Sequence, residues 1–464
     1  MQINGTSKQN FIILLALVLL VTATLFFILV YYISGPSWDL IEHSLNGMSL
    51  INPELYSSGA ILARDVTLQG NNIYYETYRA PVSMVIFAII SLIARKPIFP
   101  YLVVLYIAFI AVVYKFSKDL KFDLVIAMSV LLNPYILSIM FIGNSTEILS
   151  IIFIMVSLAL IIKKSPWAGF TLGIASMAKY PNLILLPAVL LLKKPEKIGK
   201  GIALELAALA PWLLFNFILT GNPLMSYIRA YQVVLSSAAP ASFHYQALLS
   251  IFIYPIILAA LLCALALRNR GLGIKHSSTE NEKMLAIGAF LALAVVQFLF
   301  IGGHYDVFTQ VRFSYFMGLM ALVALLYLLN GQQQLFKNAR IIAVLIGIIA
   351  LVVAIYILIA SKGYIAYYNP NSNMSVYANA GAMLAKLGYG KCRIVSNSWI
   401  YMRYLGYSAY MPIGLNNTSV SYPAVIFKDV GVAANVYNIS QSRTLYNNSN
   451  FSILLPHGYK CYTD

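Results

Sequence analysis

Apolar runs long enough to cross a lipid bilayer recur along this chain from Phe11 to Ala360. A bilayer core of about 30 Å demands roughly 20 apolar residues of a helix. Backbone inside lipid must also satisfy its own hydrogen bonds, so only helices and closed barrels can cross, and runs of this length select helices. The candidate spans are residues 11–33, 98–114, 122–140, 146–162, 166–178, 181–192, 201–219, 247–267, 284–302, 312–330 and 341–360, about ten or eleven crossings. Only 10% of the 464 residues are charged, against about 25% in soluble domains. The first run is too long for the apolar core of a signal peptide and no small-residue cleavage site follows it, so it reads as a retained span.

The net charge of +16 would suit a nucleic-acid binder, but its distribution points to membrane topology instead, with no nucleic-acid partner. With the N-terminus cytoplasmic, residues 1–10, 115–121, 163–165, 193–200, 268–283 and 331–340 face the cytoplasm and carry sixteen of the thirty-one Lys and Arg. The outside loops before residue 361 carry seven, Arg64, Arg79, Arg95, Lys96, Lys179, Arg229 and Arg312. Short cytoplasmic loops are expected to hold such an excess. The same charges decide two segments. Residues 81–94 are apolar but short, about 21 Å as a helix, and letting them cross would turn Lys115, Lys118 and Lys121 outward; they are expected to lie along the outer face. Residues 166–192 are expected to form a hairpin broken at Lys179-Tyr180-Pro181, which keeps Lys193, Lys194, Lys197 and Lys200 inside.

Beyond Lys362 the character changes. Asn, Ser and Tyr become abundant, CRIVSNSW and YPAVIFK alternate like short strands, and Ser375 to Leu387 reads as a helix closed by Gly388. Asn-x-Ser/Thr sequons begin at Asn373, Asn416, Asn417, Asn438, Asn447 and Asn450; common by chance in an Asn-rich segment, they still suit an extracytoplasmic tail. There Cys392 and Cys461 could pair, whereas Cys263 lies in an apolar run. The expected fold is an all-α polytopic membrane domain over 1–360, with an outer-face loop at 34–97, followed by a small α/β extracytoplasmic domain over 361–464. The expected location is the cell membrane.

Several ionisable residues fall on the outer side of this topology. Asp39 and Glu42 open the first loop, and on a helix their spacing of three puts both on one face. Glu76 and Arg79 close that loop. Glu147, Lys179, His304, Asp306 and Arg312 lie at later span ends. Each has an ordinary explanation: solvated loop acids, snorkelling side chains at Glu147 and Lys179, an interfacial histidine, an aromatic belt at Tyr74, Tyr75 and Tyr78. Their convergence on one face is what singles them out. No Walker A, His-Glu-x-x-His, Gly-x-Ser-x-Gly or Asp-x-Asp sequence occurs, nor a cluster with metal-ligand spacing, which argues against an ATP-driven pump, a zinc protease and a lipase-like hydrolase.

The order of features resembles a known family. An acidic motif opens the first outer loop (Trp38-Asp39) and a basic residue with proline ends it (Arg79-Ala80-Pro81). A short apolar helix follows, then Asn133-Pro134-Tyr135, Gly143-Asn144-Ser145-Thr146-Glu147, and Gly173 running into Lys179-Tyr180-Pro181. This series, over about residues 10–220, resembles the GT-C superfamily of membrane glycosyltransferases, in particular its protein mannosyltransferase and aminoarabinose transferase branch. Arg312-Phe313-Ser314-Tyr315 is similar to a late Arg-Tyr pattern of the same family. There are departures: Glu42 stands three residues after Asp39 where the family often has Asp-Glu, Ala80 interrupts the usual basic-Pro-Pro, Glu147 stands where Asp is frequent, and the tail has no Trp-Trp-Asp.

The resemblance implies a polyprenyl-phosphate (dolichyl-phosphate) sugar donor and a glycan, protein or lipid acceptor. The acceptor hydroxyl needs a carboxylate as general base, for which Asp39 is the choice. The leaving phosphate needs fixed cations, for which Arg79, Lys179 and Arg312 are candidates and His304 a weaker one. Glu42 and Glu76 would orient hydroxyl groups. Glu147 joins the substrate-binding set. No cofactor is required, although a carboxylate pair could hold a divalent metal. The competing readings are a transporter or flippase for a lipid-linked or anionic substrate, and a non-catalytic scaffold.

Overall fold

The computed structural model describes residues 38–51, 67–69, 72–74, 80–94, 96–132, 146–236, 278–302, 315–331, 339–360, 374–410, 422–428 and 442–457, with isolated positions between 10 and 36 and at 459 and 461. In chain order these form α1 (Trp38–Ile51), the strands β1 (Thr67–Gln69) and β2 (Asn72–Tyr74), then α2 (Pro81–Ser91), α3 (Ile98–Leu120), α4 (Leu124–Leu131), α5 (Thr146–Ile162) and α6 (Trp167–Ala178). A 3-10 segment η1 (Tyr180–Leu192) leads to α7 (Pro195–Thr220), α8 (Met225–Ser236), α9 (Ser278–Gly302), α10 (Tyr315–Gly331) and α11 (Ala339–Ala360). The tail holds α12 (Met374–Lys386), β3 (Ile394–Ser396), α13 (Trp399–Tyr404), β4 (Ala409–Tyr410), β5 (Ala424–Phe427), β6 (Ser442–Asn447) and β7 (Phe451–Pro456). The candidate span 247–267 and the motif Asn133-Pro134-Tyr135 lie outside the described residues.

The chain divides into two compact units. One comprises Met1–Val30, Ala80–Val82 and Leu102–Lys362; the other comprises Tyr31–Arg79, Ser83–Tyr101 and Gly363–Asp464. The division does not follow the 360/361 boundary, because α1 packs on α13 of the tail.

The first unit is helical. Among the described residues three helices are long and apolar enough to cross a bilayer, Ile98–Leu120, Pro195–Ile218 and Glu280–Phe300, with mean hydropathy of 2.1, 1.7 and 2.1; shorter apolar helices accompany them. A helix that is apolar all round belongs inside, and α10 is that helix: Tyr315, Phe316, Leu319, Leu322, Leu326 and Leu329 are fully buried. In contrast α3, α7 and α9 leave large apolar side chains such as Ile107, Ile218 and Leu299 exposed, a surface of the kind that lipid covers.

At α6 the chain reverses. Laid end to end, α6 and η1 would separate Lys164 from Lys193 by roughly 40 Å at helical rises of 1.5–2.0 Å per residue. Both lysines instead reach Glu282, at 2.7 and 3.4 Å, and Lys197 Nζ donates to the Lys164 carbonyl at 2.7 Å. Small residues let the neighbouring backbones touch. A Cβ on Gly169 would stand 1.9 Å from the Gly201 carbonyl oxygen, and one on Gly173 would stand 2.8 Å from Ala208 Cβ. Gly169 and Gly173 are four apart on one face of α6, the spacing by which helices approach closely without hydrophobic drive.

The same end of the helices gathers the charges of five segments. Asp119 pairs with Lys115 at 3.0 Å and Lys163 at 2.6 Å, and Asp123 with Arg340 at 2.6 Å. Asp123 also caps α4 by accepting from the Val125 and Ile126 amides. Lys283 pairs with Glu280 at 2.7 Å and donates to the Leu120 carbonyl at 3.1 Å. Each pair joins a largely buried partner to a more exposed one; their significance is positional.

In the second unit a five-stranded mixed sheet has the order β4-β3-β5-β7-β6. β3 is parallel to β4 and to β5, while β5, β7 and β6 are antiparallel neighbours. Strands covered on both faces are apolar throughout, and Ile394, Val395, Ala424 and Val425 are fully or almost fully buried. The edge strand β6 carries polar Ser442, Arg443, Thr444 and Asn447, which discourages pairing with other chains. Helix α12 ends at Gly388, whose φ of +86° only glycine adopts without strain. Cys392 and Cys461 form a disulfide across 69 residues.

Two consequences can be measured. Gly169→Val forces α6 off α7 and should lower stability by about 1–3 kcal/mol, the usual cost of overpacking, read as a lower Tm in detergent. Cys392→Ser and Cys461→Ser should each destabilise the tail by about 2–4 kcal/mol, because the open chain regains loop entropy; reductant should lower the wild-type Tm and leave both variants unchanged.

Candidate functional site

The described site residues fall into two clusters, one in each unit. In the helical unit α6 ends at Ala178, Lys179 takes an extended conformation (φ −157°), and Pro181 opens η1 in the first-turn position where its missing N–H costs nothing. Lys179 therefore stands at the tip of an apolar hairpin. Its Nζ donates to Glu147 Oε1 and lies 4.8 Å over the Tyr315 ring. Glu147 is fully buried in the first turn of α5, with Thr146 Oγ1 donating to its second oxygen at 3.3 Å. Beside the pair Asn182 Nδ2 donates at 2.8 Å to the Ala175 carbonyl, which also accepts from the Lys179 amide at 3.2 Å. Asn182 Oδ1 in turn accepts from the Tyr315 hydroxyl and from Gln297 Nε2, the latter at 3.2 Å.

This cluster lies at the opposite ends of α5, α9 and α10 from the lysine-rich gathering, about 20–25 Å away by helical rise. Among the described residues the unit therefore gathers ion pairs at two separate ends. Of the expected phosphate cations, Lys179 has its charge compensated by Glu147, so it acts on a ligand only as part of a pair whose net charge is close to zero. Asn182 and Gln297 join the cluster and escaped notice in the sequence, because amides at scattered positions carry no spacing signal; Tyr315 stood out there only as the end of the Arg312-Phe313-Ser314-Tyr315 pattern.

In the second unit α1 supplies the other cluster. Asp39, Glu42, His43 and Asn46 recur at i, i+3, i+4 and i+7, the pattern by which helices normally turn apolar residues inward. Here the stripe is polar. Glu42, His43 and Asn46 are almost fully buried, whereas Asp39 in the first turn is only half-buried. A carboxylate there is favoured by the helix dipole. Ser83 Oγ of α2 lies 2.9 Å from His43 Nδ1. The approach of α1 to α2 depends on Gly47, where a Cβ would meet Phe87 Cβ at 2.4 Å. Phe87 stacks on Tyr101, ring centroids 3.8 Å apart. On the other side of α1 stands α13, with Tyr401 nearly fully buried. Burial pushes the Tyr401 hydroxyl well above the usual phenol range, and the Tyr377 hydroxyl and the Asp39 carboxylate add to the shift. His43, Asn46 and Tyr401 are further additions to the site; the seven-residue stripe was the sequence signal for the first two.

Glu76, Arg79, His304, Asp306 and Arg312 lie outside the described residues. Among the described residues no group of three His, Cys, Asp or Glu side chains converges to hold a metal. No protein-family model, no curated protein and no solved structure matches the chain.

A buried ion pair that loses one partner leaves an uncompensated charge, at a cost of about 3–5 kcal/mol. Glu147→Gln and Lys179→Met should each lower stability by that order in thermal unfolding, and the double variant should recover most of the loss.

Proposed function

We propose that this protein is a multi-pass membrane glycosyltransferase of the GT-C type. It transfers a sugar from a polyprenyl-phosphate donor to a glycan, protein or lipid acceptor at the extracytoplasmic face. The observation that carries the reading is the polar stripe of α1, in which only Asp39 among the stripe's acidic and basic groups stays accessible. A carboxylate that meets solvent beside buried polar neighbours is suited to take a proton from an acceptor hydroxyl. The ordered motif series of the sequence supplies the donor class.

In the reaction the acceptor oxygen attacks the anomeric carbon while its proton passes to Asp39. The bond from that carbon to the phosphate oxygen breaks, and the electron pair leaves with the lipid phosphate. Attack from the side opposite the phosphate inverts the anomeric centre. The growing phosphate charge calls for arginine, whose planar fork bonds two oxygens; Arg79 and Arg312 have this role in the proposal. Lys179, paired with Glu147, serves in positioning. Glu42 is buried and supports α1, which narrows its contact with substrate hydroxyls; Glu76 and His304 remain substrate-binding candidates. No cofactor takes part, and a divalent metal is not needed for the step.

Two observations support the orientation, with the N-terminus cytoplasmic and the tail outside. Lys115, Lys163, Lys164, Lys193, Lys283 and Arg340, all in segments assigned to the cytoplasm, are drawn into ion pairs with Asp119, Asp123, Glu280 and Glu282 at one end of the helical unit, which fits the charge bias of cytoplasmic loops. The Cys392–Cys461 disulfide suits an oxidising compartment.

One observation favours a transporter instead: the buried Glu147–Lys179 pair at a broken hairpin is the kind of intramembrane charge that marks substrate pathways. A single experiment separates the readings. Purified protein in vesicles is given radiolabelled polyprenyl-phosphate sugar and a mixed acceptor pool. Transfer of label with release of lipid phosphate is expected, falling about 10²–10⁴-fold in Asp39→Asn with Tm unchanged. Full activity of Asp39→Asn rejects Asp39 as the base, and intact labelled donor crossing the vesicle establishes transport.

A further inference from the structure

The hairpin of β6 and β7 carries two consecutive sequons, and the fold treats them differently. Asn447-Asn448-Ser449 runs from the last residue of β6 into the turn, and Asn450-Phe451-Ser452 runs from the turn into β7. The sequons at Asn373, Asn416, Asn417 and Asn438 lie outside the described residues. We propose that Asn447 is an N-glycosylation site, its side-chain amide carrying an oligosaccharide delivered from a lipid-linked donor. The inference rests on the extracytoplasmic placement of the tail and is independent of the assignment of Asp39.

A transferring enzyme reads the asparagine and the hydroxyl two residues later together, and the bulky product has to end at the surface. Asn447 and Ser449 are both exposed. β6 is the edge of the five-stranded sheet, so at Asn447 it is paired on one side only, with Ser452 of β7. Ser452 Oγ donates to Asn447 Oδ1 at 2.9 Å, whereas Nδ2, the atom that takes the sugar, has no hydrogen-bond partner among the described residues. Asn448, between the two, has its own side chain engaged: Oδ1 accepts from the Asn450 and Phe451 amides at 2.8 Å, which closes the turn that exposes Ser449.

Asn450 is exposed as well, but the rest of its sequon is built into the sheet. Phe451 is 2% exposed and lies against Phe427, ring centroids 5.9 Å apart. β7 is paired on both sides: Phe451 opposes Phe427 and Ser452 opposes Ile426 of β5, while Ser452 also opposes Asn447 of β6. Its hydroxyl is engaged by Asn447. Reading this sequon on the folded chain would draw Phe451 out of the core, whereas reading Asn447-Asn448-Ser449 lifts only a turn and the end of an edge strand.

In the transfer Asn447 Nδ2 attacks the anomeric carbon of the lipid-linked oligosaccharide. A carbon–nitrogen bond forms, and the bond from that carbon to the lipid phosphate oxygen breaks with its electron pair leaving on the phosphate. The Nδ2 proton passes to a base of the oligosaccharide-transferring enzyme. The amide keeps its oxygen, so the hydrogen bond from Ser452 survives. The glycan then stands at the open edge of the sheet, where a bulky polar group blocks pairing with other strands.

The test uses the full-length protein purified from membranes of an N-glycosylating host, with the hairpin read by site-resolved mass spectrometry. Expected is a glycan on Asn447 and none on Asn450. Its mass increment should be lost in Asn447→Gln and Ser449→Ala and kept in Ser449→Thr and Asn450→Gln. Glycan on Asn450, alone or beside one on Asn447, overturns the proposal, and so does a bare hairpin. Ser449→Ala removes one exposed hydroxyl whose described contact is Asn450 Oδ1 at 3.4 Å. It therefore decides if Asn447→Gln does not fold, and a glycan retained in it overturns the proposal. A membrane-impermeant amine reagent applied to intact cells and read at the exposed Lys391 tells the two levels apart. A bare hairpin on a tail that the reagent reaches rejects only the Asn447 site, while a bare hairpin on a tail labelled only after lysis rejects the orientation.

Discussion

A lysine at the tip of an apolar hairpin has to be neutralised, and the way Lys179 is neutralised organises the helical unit. The ammonium is too costly to bury alone, so the first turn of α5 has to lie where Glu147 can meet it. The Tyr315 ring closes over the pair from α10, and the amides of Asn182 and Gln297 join the Tyr315 hydroxyl beside it. Four segments are thereby held at one polar end. The opposite end is fixed by the same rule with different chemistry: Glu282 draws Lys164 and Lys193 together, and Asp119 draws Lys115 and Lys163. Between the two ends the described contacts include close glycine approaches and a Ser157–Thr171 hydrogen bond at 2.8 Å, and such close, small-residue packing is what holds helices together where their outer faces meet lipid.

The second unit applies the rule to a different end. Its sheet buries β3 and β5 on both faces, and the helices α1 and α2 bring buried polar groups of their own. Glu42, His43 and Asn46 occupy positions on α1 that apolar residues usually hold. Burying three such groups in one stripe is expensive unless each is hydrogen-bonded, and Ser83 supplies the partner of His43. Asp39, the half-buried member of the stripe, is the residue to which the proposed reading gives the role of base. Helix α13, which packs on α1, comes from the far end of the sequence. Helix α1 and the described part of the tail therefore belong to one compact unit.

Much of the element pattern was legible in the sequence. The apolar runs announced helices near 98–114, 146–162 and 341–360, and the alternation in CRIVSNSW and YPAVIFK announced β3 and β5. Gly388 marked the end of α12, and Lys179-Tyr180-Pro181 marked a break. These signals are local: a period, a glycine, a proline. Other features had no local signal. The hairpin of β6 and β7 turns on the Asn448 side chain, which accepts from the Asn450 and Phe451 amides at 2.8 Å; an Asn-rich stretch hides which asparagine does so.

The sequence by itself determined that the chain is apolar enough for a bilayer and that Asp39 and Glu42 share a helical face. These follow from composition and period, which need no knowledge of the fold. Only the tertiary structure decided which charges compensate one another. Lys179 looked like a cation offered to phosphate until Glu147, 32 residues away, proved to be its partner. Asp39 looked like a loop acid until α13, more than 300 residues further on, came to lie beside it. The reason is that pairing depends on distance in space, and a chain that reverses at Lys179 and returns in the tail places residues side by side that no sequence window spans.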